Sequence, residues 1–271
     1  MIHHKLLLII VLVFSFHNTN FSQSKIVDYV APTKIGETIK IQSTILKETR
    51  AINLYLPKGY ESDSVTKFPI IYVLDSDMKD DFTHVAGIVQ YGSKSWVNIV
   101  PKSIVVGLPN SHKNRDFVAK KNEQYSYSGG SGNFMNFIEF ELIPFFEKNF
   151  RTLENRTIIG KTLGGLFVGE LLMTRPHLFT NFILLSPTLS WDNSAILKVE
   201  PKLCLSKKTV YIGVGEESKL HDLSAKKFYL KFKNMNVNSI TLHYKMFEEF
   251  NRSNIMFTGT YNAFTIIFSK Q

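Results

Sequence analysis

The sequence predicts an α/β protein: a three-layer sandwich whose mostly parallel central sheet, preceded by antiparallel N-terminal strands, lies between layers of helices. Three observations predict it. Short unbroken apolar runs recur from Phe68 onward: Ile70-Ile71-Tyr72-Val73-Leu74, Ile104-Val105-Val106, Ile158-Ile159, Phe182-Ile183-Leu184-Leu185 and Val210-Tyr211-Ile212. Runs without alternation suit strands covered on both faces, as in a parallel sheet. Helical segments fall between these runs, and alternating strands and helices with right-handed crossovers build a layered sandwich. The stretch before Phe68 behaves differently. ETIKIQSTIL (37–46) and RAINLYL (50–56) alternate apolar and polar residues, the pattern of strands with one solvated face.

In chain order, residues 1–22 have the pattern of a secretory signal peptide. Lys5 supplies the positive start, Leu6 to Phe16 is an eleven-residue apolar core, and a polar stretch ends in small Ser22. The core is too short to span a bilayer, so export is expected, with a mature start near Gln23 and no stable membrane span afterwards. Residues 23–271 are expected to form a single domain, because no internal repeat, low-complexity tract or linker interrupts them. Pro57-Lys58-Gly59 closes the alternating strands. Helices are expected at Phe82–Tyr91, Gly132–Asn149, Leu163–Thr174, Leu223–Asn234 and Gly259–Phe268, with an extended stretch, Ser239–Phe247, before the last.

Composition excludes some functions. The net charge is +9, or +8 without Lys5, but the basic pairs Lys120-Lys121, Lys207-Lys208 and Lys226-Lys227 are scattered and no nucleic-acid motif accompanies them. Nucleic acid is therefore not an expected partner. The single cysteine, Cys204, leaves no internal disulfide, and stability must come from packing. No C-x-x-C or H-E-x-x-H occurs, so neither a metal site nor a cofactor is expected.

The chain is organised around Thr157 to Gly169, TIIGKTLGGLFVG. An apolar β-branched run enters a glycine-rich turn and leaves as an apolar helix. That is the setting of a nucleophile elbow, G-x-S-x-G, with Thr162 in place of the serine. Thr162 is β-branched and internal to the chain. Either its turn has relaxed, or the fold tolerates a strained residue at a cost of about 1–3 kcal/mol.

RTIIGKTLGGLFVGELLMTRPHLFTNFILLSPTLSWDN resembles the Putative esterase family of α/β-hydrolases, which includes the enterochelin (siderophore) esterases. LPKGYESDSVTKFPIIYVLDSD resembles that family's second strand, loop and third strand. IVVGLPNSHKNRDF resembles its fourth strand and loop, and FIEFELIPFFEKNFRT the helix before the elbow. The resemblance spans roughly residues 35–268 and implies the α/β-hydrolase fold, with the active site outside the carboxyl ends of the strands.

The resemblance also implies roles. Thr162 stands at the nucleophile position and Arg252, in Phe250-Asn251-Arg252-Ser253, at the histidine position. Glu217, or less strongly Glu216, stands at the acid position. The backbone N–H of Leu163 and the loop Asp75-Ser76-Asp77-Met78 would supply the oxyanion donors, with Ser76 and Asp77 at its centre. Lys161 would pack or pair beneath the turn, and Trp191 with Asp192 would lie on the substrate side. Arginine cannot accept a proton, so the base is missing from its expected place. Five histidines remain after the signal: His84, His112, His177, His221 and His243. Position ranks His221 first among them as a replacement, with His84 bordering the pocket and His112 in a polar loop.

These departures predict a pseudoenzyme with little serine-esterase turnover that binds a small-molecule ester or other carbonyl, or an anionic ligand, in the old cleft. An active hydrolase using Thr162 with another base, and an envelope interaction module, are the alternatives.

Overall fold

In the computed structural model the described residues are 34–269, except 77–80, 111, 122, 124, 126 and 203. Residues 1–22, expected to be a signal peptide, lie outside them. The described residues fall in one compact unit.

The elements run β1 (Glu37–Ser43), β2 (Glu48–Tyr55), β3 (Phe68–Leu74), α1 (Asp81–Gly92), β4 (Ile104–Leu108), α2 (Lys113–Asp116), α3 (Ser131–Phe137), α4 (Ile143–Asn149), β5 (Thr152–Lys161), α5 (Leu163–Thr174), β6 (Asn181–Leu185), α6 (Trp191–Ser194), β7 (Lys208–Gly215), α7 (Lys219–Met235), β8 (Ile240–Phe247) and α8 (Ile255–Ile267). They build one eight-stranded sheet in the order β1-β2-β4-β3-β5-β6-β7-β8. β2 pairs antiparallel with both β1 and β4. The pairs from β4–β3 to β7–β8 are parallel. This is the mostly parallel sheet with antiparallel N-terminal strands that the residue patterns predict.

The sheet's two faces carry separate apolar clusters. Tyr72, Ile158, Phe182 and Val210 pack with Phe167 of α5 and Phe228 of α7. Their sequence neighbours Val73, Ile159, Ile183 and Tyr211 pack on the other face with Phe82 of α1 and Phe264 of α8. Successive strand residues point to opposite faces, so unbroken apolar runs are what a sheet covered on both sides requires.

Three helix expectations needed adjusting. The predicted Gly132–Asn149 helix is a continuous path, but a π turn, Ile138–Leu142, separates α3 from α4. Glu141 in that turn accepts the backbone N–H groups of Thr44 at 2.9 Å and Ile45 at 3.1 Å, tying the β1–β2 turn to the helical layer. α7 begins at Lys219 rather than Leu223, and α8 at Ile255 rather than Gly259. In both, the first turn is polar or follows a polar cap position, Ser218 and Asn254, which apolar periodicity does not register. Among the described residues no helix is long and apolar enough to cross a membrane.

Candidate active site

β5 ends at Lys161 and α5 begins at Leu163, leaving Thr162 alone to turn the chain. It does so at φ 53°, ψ −117°. The strained alternative is therefore the one this chain adopts. Three backbone hydrogen bonds hold it: Thr162 N–H donates to Leu185 O at 3.1 Å, while Leu166 and Thr188 donate to Thr162 O at 3.0 and 3.1 Å. The glycines let the backbones converge. A Cβ on Gly160 would stand 2.2 Å from Gly164 O, and one on Gly165 would stand 2.9 Å from Pro187 Cα. Because only glycine occupies such a backbone freely, Thr162→Gly is expected to stabilise the protein by ~1 kcal/mol. That would raise the melting temperature by about 2–4 °C in a thermal scan. An unchanged or lower melting temperature would mean the threonine side chain contributes packing that offsets its strain.

Thr162 opens into a cavity of about 640 Å³. Its wall is charged. Lys161 Nζ lies 3.1 Å from Asp81 Oδ2, and Lys113 Nζ lies 2.5 Å from Asp75 Oδ2. Burial pushes the Asp75 carboxyl upward, opposed by the hydrogen bond from Lys113. The opposite wall comes from β2 and α2. Glu48 Oε1 lies 2.7 Å from both Arg50 Nη1 and Arg115 Nη2. Asp116 Oδ1 lies 2.6 Å from Arg115 Nε, and Asn110 Nδ2 donates to Asp116 Oδ2 at 3.0 Å. Arg50 Nη2 is 3.0 Å from the same Oδ2, but off the hydrogen-bonding line. The hydrogen bond from Arg115, ahead of Arg50, holds Glu48 down at about 2 against the opposing effect of its burial.

This network of four charged residues and Asn110 was not anticipated from the sequence. One signal for it existed. Glu48 and Arg50 sit two apart on one strand, hence on one face, and Arg50 is 6% exposed. A buried arginine requires a carboxylate partner.

The predicted oxyanion donors fare unequally. The Leu163 N–H is one of the four donors that a helix start leaves without an intrahelical partner, and no side chain caps α5. Ser76 is a correction. Its N–H donates to Leu108 O at 3.3 Å and its hydroxyl to Val73 O at 2.7 Å, so both of its donors are engaged in closing the loop. Asp77 lies outside the described residues.

Glu217 and Arg252 do meet. Glu216 N–H, at the end of β7, donates to Phe250 O at 2.5 Å, drawing the two loops together. Glu217 Oε1 accepts the Arg252 backbone N–H at 2.5 Å, and Oε2 accepts its Nε at 2.9 Å and lies 2.8 Å from Nη2. The Glu217 side chain is 6% exposed and that of Arg252 47%. Arg252, expected at the histidine position, is not among the residues that line the Thr162 cavity. Its guanidinium is held by Glu217, and the cations lining the Thr162 cavity are Arg50, Lys113 and Lys161.

Among the described residues Thr162 Oγ1 has no hydrogen-bond partner. Of the five histidines, His112 lines the Thr162 cavity. His221, ranked first from position, places its Nδ1 2.6 Å from Ser218 Oγ. His177 pairs with Glu139 at 3.1 Å, and His84 meets the edge of Phe257. His243 lies on β8, where burial lowers its affinity for a proton.

Trp191 and Asp192 are a further correction. They line a separate cavity of about 840 Å³ that shares no lining residue with the first. Trp191 packs on Tyr125, ring centroids 5.7 Å apart. Asp192, Asn193 and Ser194 all have positive φ (48°, 51° and 56°), which turns the chain away after β6.

Comparisons with known proteins agree with this geometry. A family model described as "Putative esterase" matches residues 43–255. Ferri-bacillibactin esterase BesA of Bacillus subtilis (strain 168) is 26% identical over 210 residues, 69% of this chain and 72% of its own. An IroE-like serine hydrolase from Shewanella oneidensis superposes with a TM-score of 0.77 at 27% identity, covering 86% of this chain and 80% of that one. The BES protein from Bacillus cereus superposes with a TM-score of 0.80 at 23% identity, over 90% of this chain and 100% of that one. With its strand order, its elbow turn and more than half its length matched, the chain belongs to the Putative esterase family, among relatives that include siderophore esterases.

Proposed function

We propose that this protein is an exported, catalytically degenerate member of the family that binds a polar carbonyl compound in the Thr162 cavity. The observation that carries the reading is a proton with no destination. Thr162 Oγ1 has no hydrogen-bond partner among the described residues, and the acid that would orient a base instead holds Arg252. A hydroxyl is a weak nucleophile until a neighbouring base takes its proton. Export rests on the pattern of residues 1–22.

The cavity's charges bear on the ligand. Glu48, Asp75 and Asp81 offset Arg50, Lys113 and Lys161, so the wall has no net bias toward anions. An ester or amide, met by the α5 N-terminus at its carbonyl and by ion pairs at its polar substituents, fits better than a bare anion. The relative named ferri-bacillibactin esterase makes that ester the first ligand to test.

Two measurements test the reading. Hydrolysis of p-nitrophenyl butyrate by the purified protein is expected to match that of Thr162→Ala. Ferri-bacillibactin at a hundred times its dissociation constant is expected to stabilise the fold by about 2.7 kcal/mol, roughly 5–10 °C in melting temperature. Turnover that disappears in Thr162→Ala would overturn the reading.

The alternative, a Thr162-dependent hydrolase, has one observation in its favour: His112 lines the same cavity. It requires turnover that both Thr162→Ala and His112→Ala abolish.

A further inference from the structure

α5 is apolar apart from one residue. Glu170 is its only charged side chain, and it is half-buried. It faces the second cavity, between apolar walls formed by Met135, Leu166, Met173 and Ile196. Its carboxylate accepts Ser131 Oγ–H at 3.0 Å and the backbone N–H of Ala119. Among the described residues no lysine or arginine is paired with it. Burial pushes its pKa up to about 7, against the two hydrogen bonds. A carboxyl in apolar surroundings without a cation costs stability unless something else meets it. Nothing in the Thr162 chemistry uses it, since the two cavities share no lining residue.

We propose that this second cavity is a ligand site for the alkyl or aryl body of an amphiphile whose polar head, an amine or an alcohol, hydrogen-bonds to the Glu170 carboxyl. The volume of about 840 Å³ is in the range of small-molecule sites, and the combination of apolar wall and one convergent polar group is their usual chemistry. The other charged groups around the cavity have their own partners or face solvent. Lys120 from the α2–α3 connection pairs with Asp192 at 2.9 Å, and Arg175 pairs with Glu139 at 2.5 Å. Lys198 and Lys202 are exposed at the rim. Ser131 on α3 and the Ala119 N–H meet the carboxyl itself.

Trp191 lines the cavity and reports on it. The only other tryptophan, Trp96, is 76% exposed and is silenced by Trp96→Phe. The probes are octylamine, 1-octanol and octanoate, titrated into that variant while Trp191 emission is followed. At pH 8.5, where Glu170 is ionised, octylamine is expected to bind saturably and more tightly than octanoate. At pH 5.5 its affinity is expected to fall at least about tenfold, the scale of one charge-assisted hydrogen bond, while 1-octanol changes less than about threefold. Glu170→Gln is expected to reproduce the loss for octylamine at pH 8.5. Ala195→Leu, which fills space without touching the carboxyl, is expected to weaken all three probes. Melting curves confirm that both variants are folded. Absence of a saturable change with any probe, an octylamine affinity unaffected by Glu170→Gln, or octanoate bound more tightly than octylamine at pH 8.5 would each overturn the proposal. The last of these would assign recognition to the rim lysines instead.

Discussion

Thr162→Ser combined with Arg252→His is expected to raise kcat/KM for p-nitrophenyl butyrate on the order of 10³-fold over the unaltered protein. Each half of the pair is held in a definite local conformation. The φ of 53° at position 162 is the conformation that holds a nucleophile clear of the sheet, and serine keeps the hydroxyl without the crowding methyl. At position 252, Glu217 Oε1 already fixes the backbone N–H at 2.5 Å, and Oε2, now accepting a guanidinium N–H at 2.9 Å, would accept an imidazole N–H. A largely buried carboxylate in that position sets the tautomer in which the other ring nitrogen takes a proton. The single changes are expected to gain little, because nucleophile and base act as a unit. Thr162→Ser alone supplies no base, so its hydroxyl proton is as undirected as that of the native threonine. Arg252→His alone supplies a base but leaves it only a hydroxyl crowded by the threonine methyl. A silent, folded double variant would move the defect elsewhere, and the structure indicates where. Ser76 N–H is engaged with Leu108 O and cannot serve as the second oxyanion donor, so the oxyanion hole would be the next place to test.

What the sequence revealed, and what it concealed, follows from how far apart the cooperating residues lie. Parallel strands buried on both faces announce themselves as unbroken apolar runs, so the existence and the buried centres of β3 to β7 were legible, though not their ends. The elbow was legible because strand, turn and helix are contiguous. The Glu217–Arg252 meeting was legible as two loops at the carboxyl ends of strands, though not that each would engage the other fully. Strain at Thr162 could be posed only as a choice, since no sequence pattern reports φ. The cavity wall was illegible for a different reason. Glu48 and Arg115 are joined across 67 positions, and neither β2 nor α2 carries a local pattern that names its partner. Trp191 was assigned to the wrong cavity because its ring packs on Tyr125, 66 positions earlier in the chain, a contact that no local pattern names. His112 was passed over because a polar loop position says nothing about which cavity it borders.

Asp116→Ala is expected to cost about 3–5 kcal/mol, the usual scale for removing one partner from a buried ion network. Asp116 is 1% exposed and Arg50 6%, so Arg50 cannot turn to water when the carboxylate is removed, while the Arg115 side chain, 29% exposed, can do so in part. Arg115 would keep only Glu48, and Arg50 would share that same carboxylate while its guanidinium remains 5.2 Å from the Phe134 ring centre. In a thermal scan the loss corresponds to roughly 10 °C or more. The network also predicts the direction of acid sensitivity. Glu48 is held at about 2 in the folded chain, below its ordinary value of 4.5, so it contributes stability that is fully present above about pH 4.5. That contribution is lost as pH falls toward 2. Between those limits the unfolded chain binds the proton more readily, and the melting temperature is expected to fall more steeply in the unaltered protein than in Glu48→Gln. Glu48 lines the Thr162 cavity, and Asp116 touches its lining residues Arg50 and Asn110, so stability and ligand binding should decline together. If Asp116→Ala melts within a degree or two of the unaltered protein, α2 must be held to the sheet by Phe117 and its aromatic neighbours Phe134 and Phe167 rather than by charge.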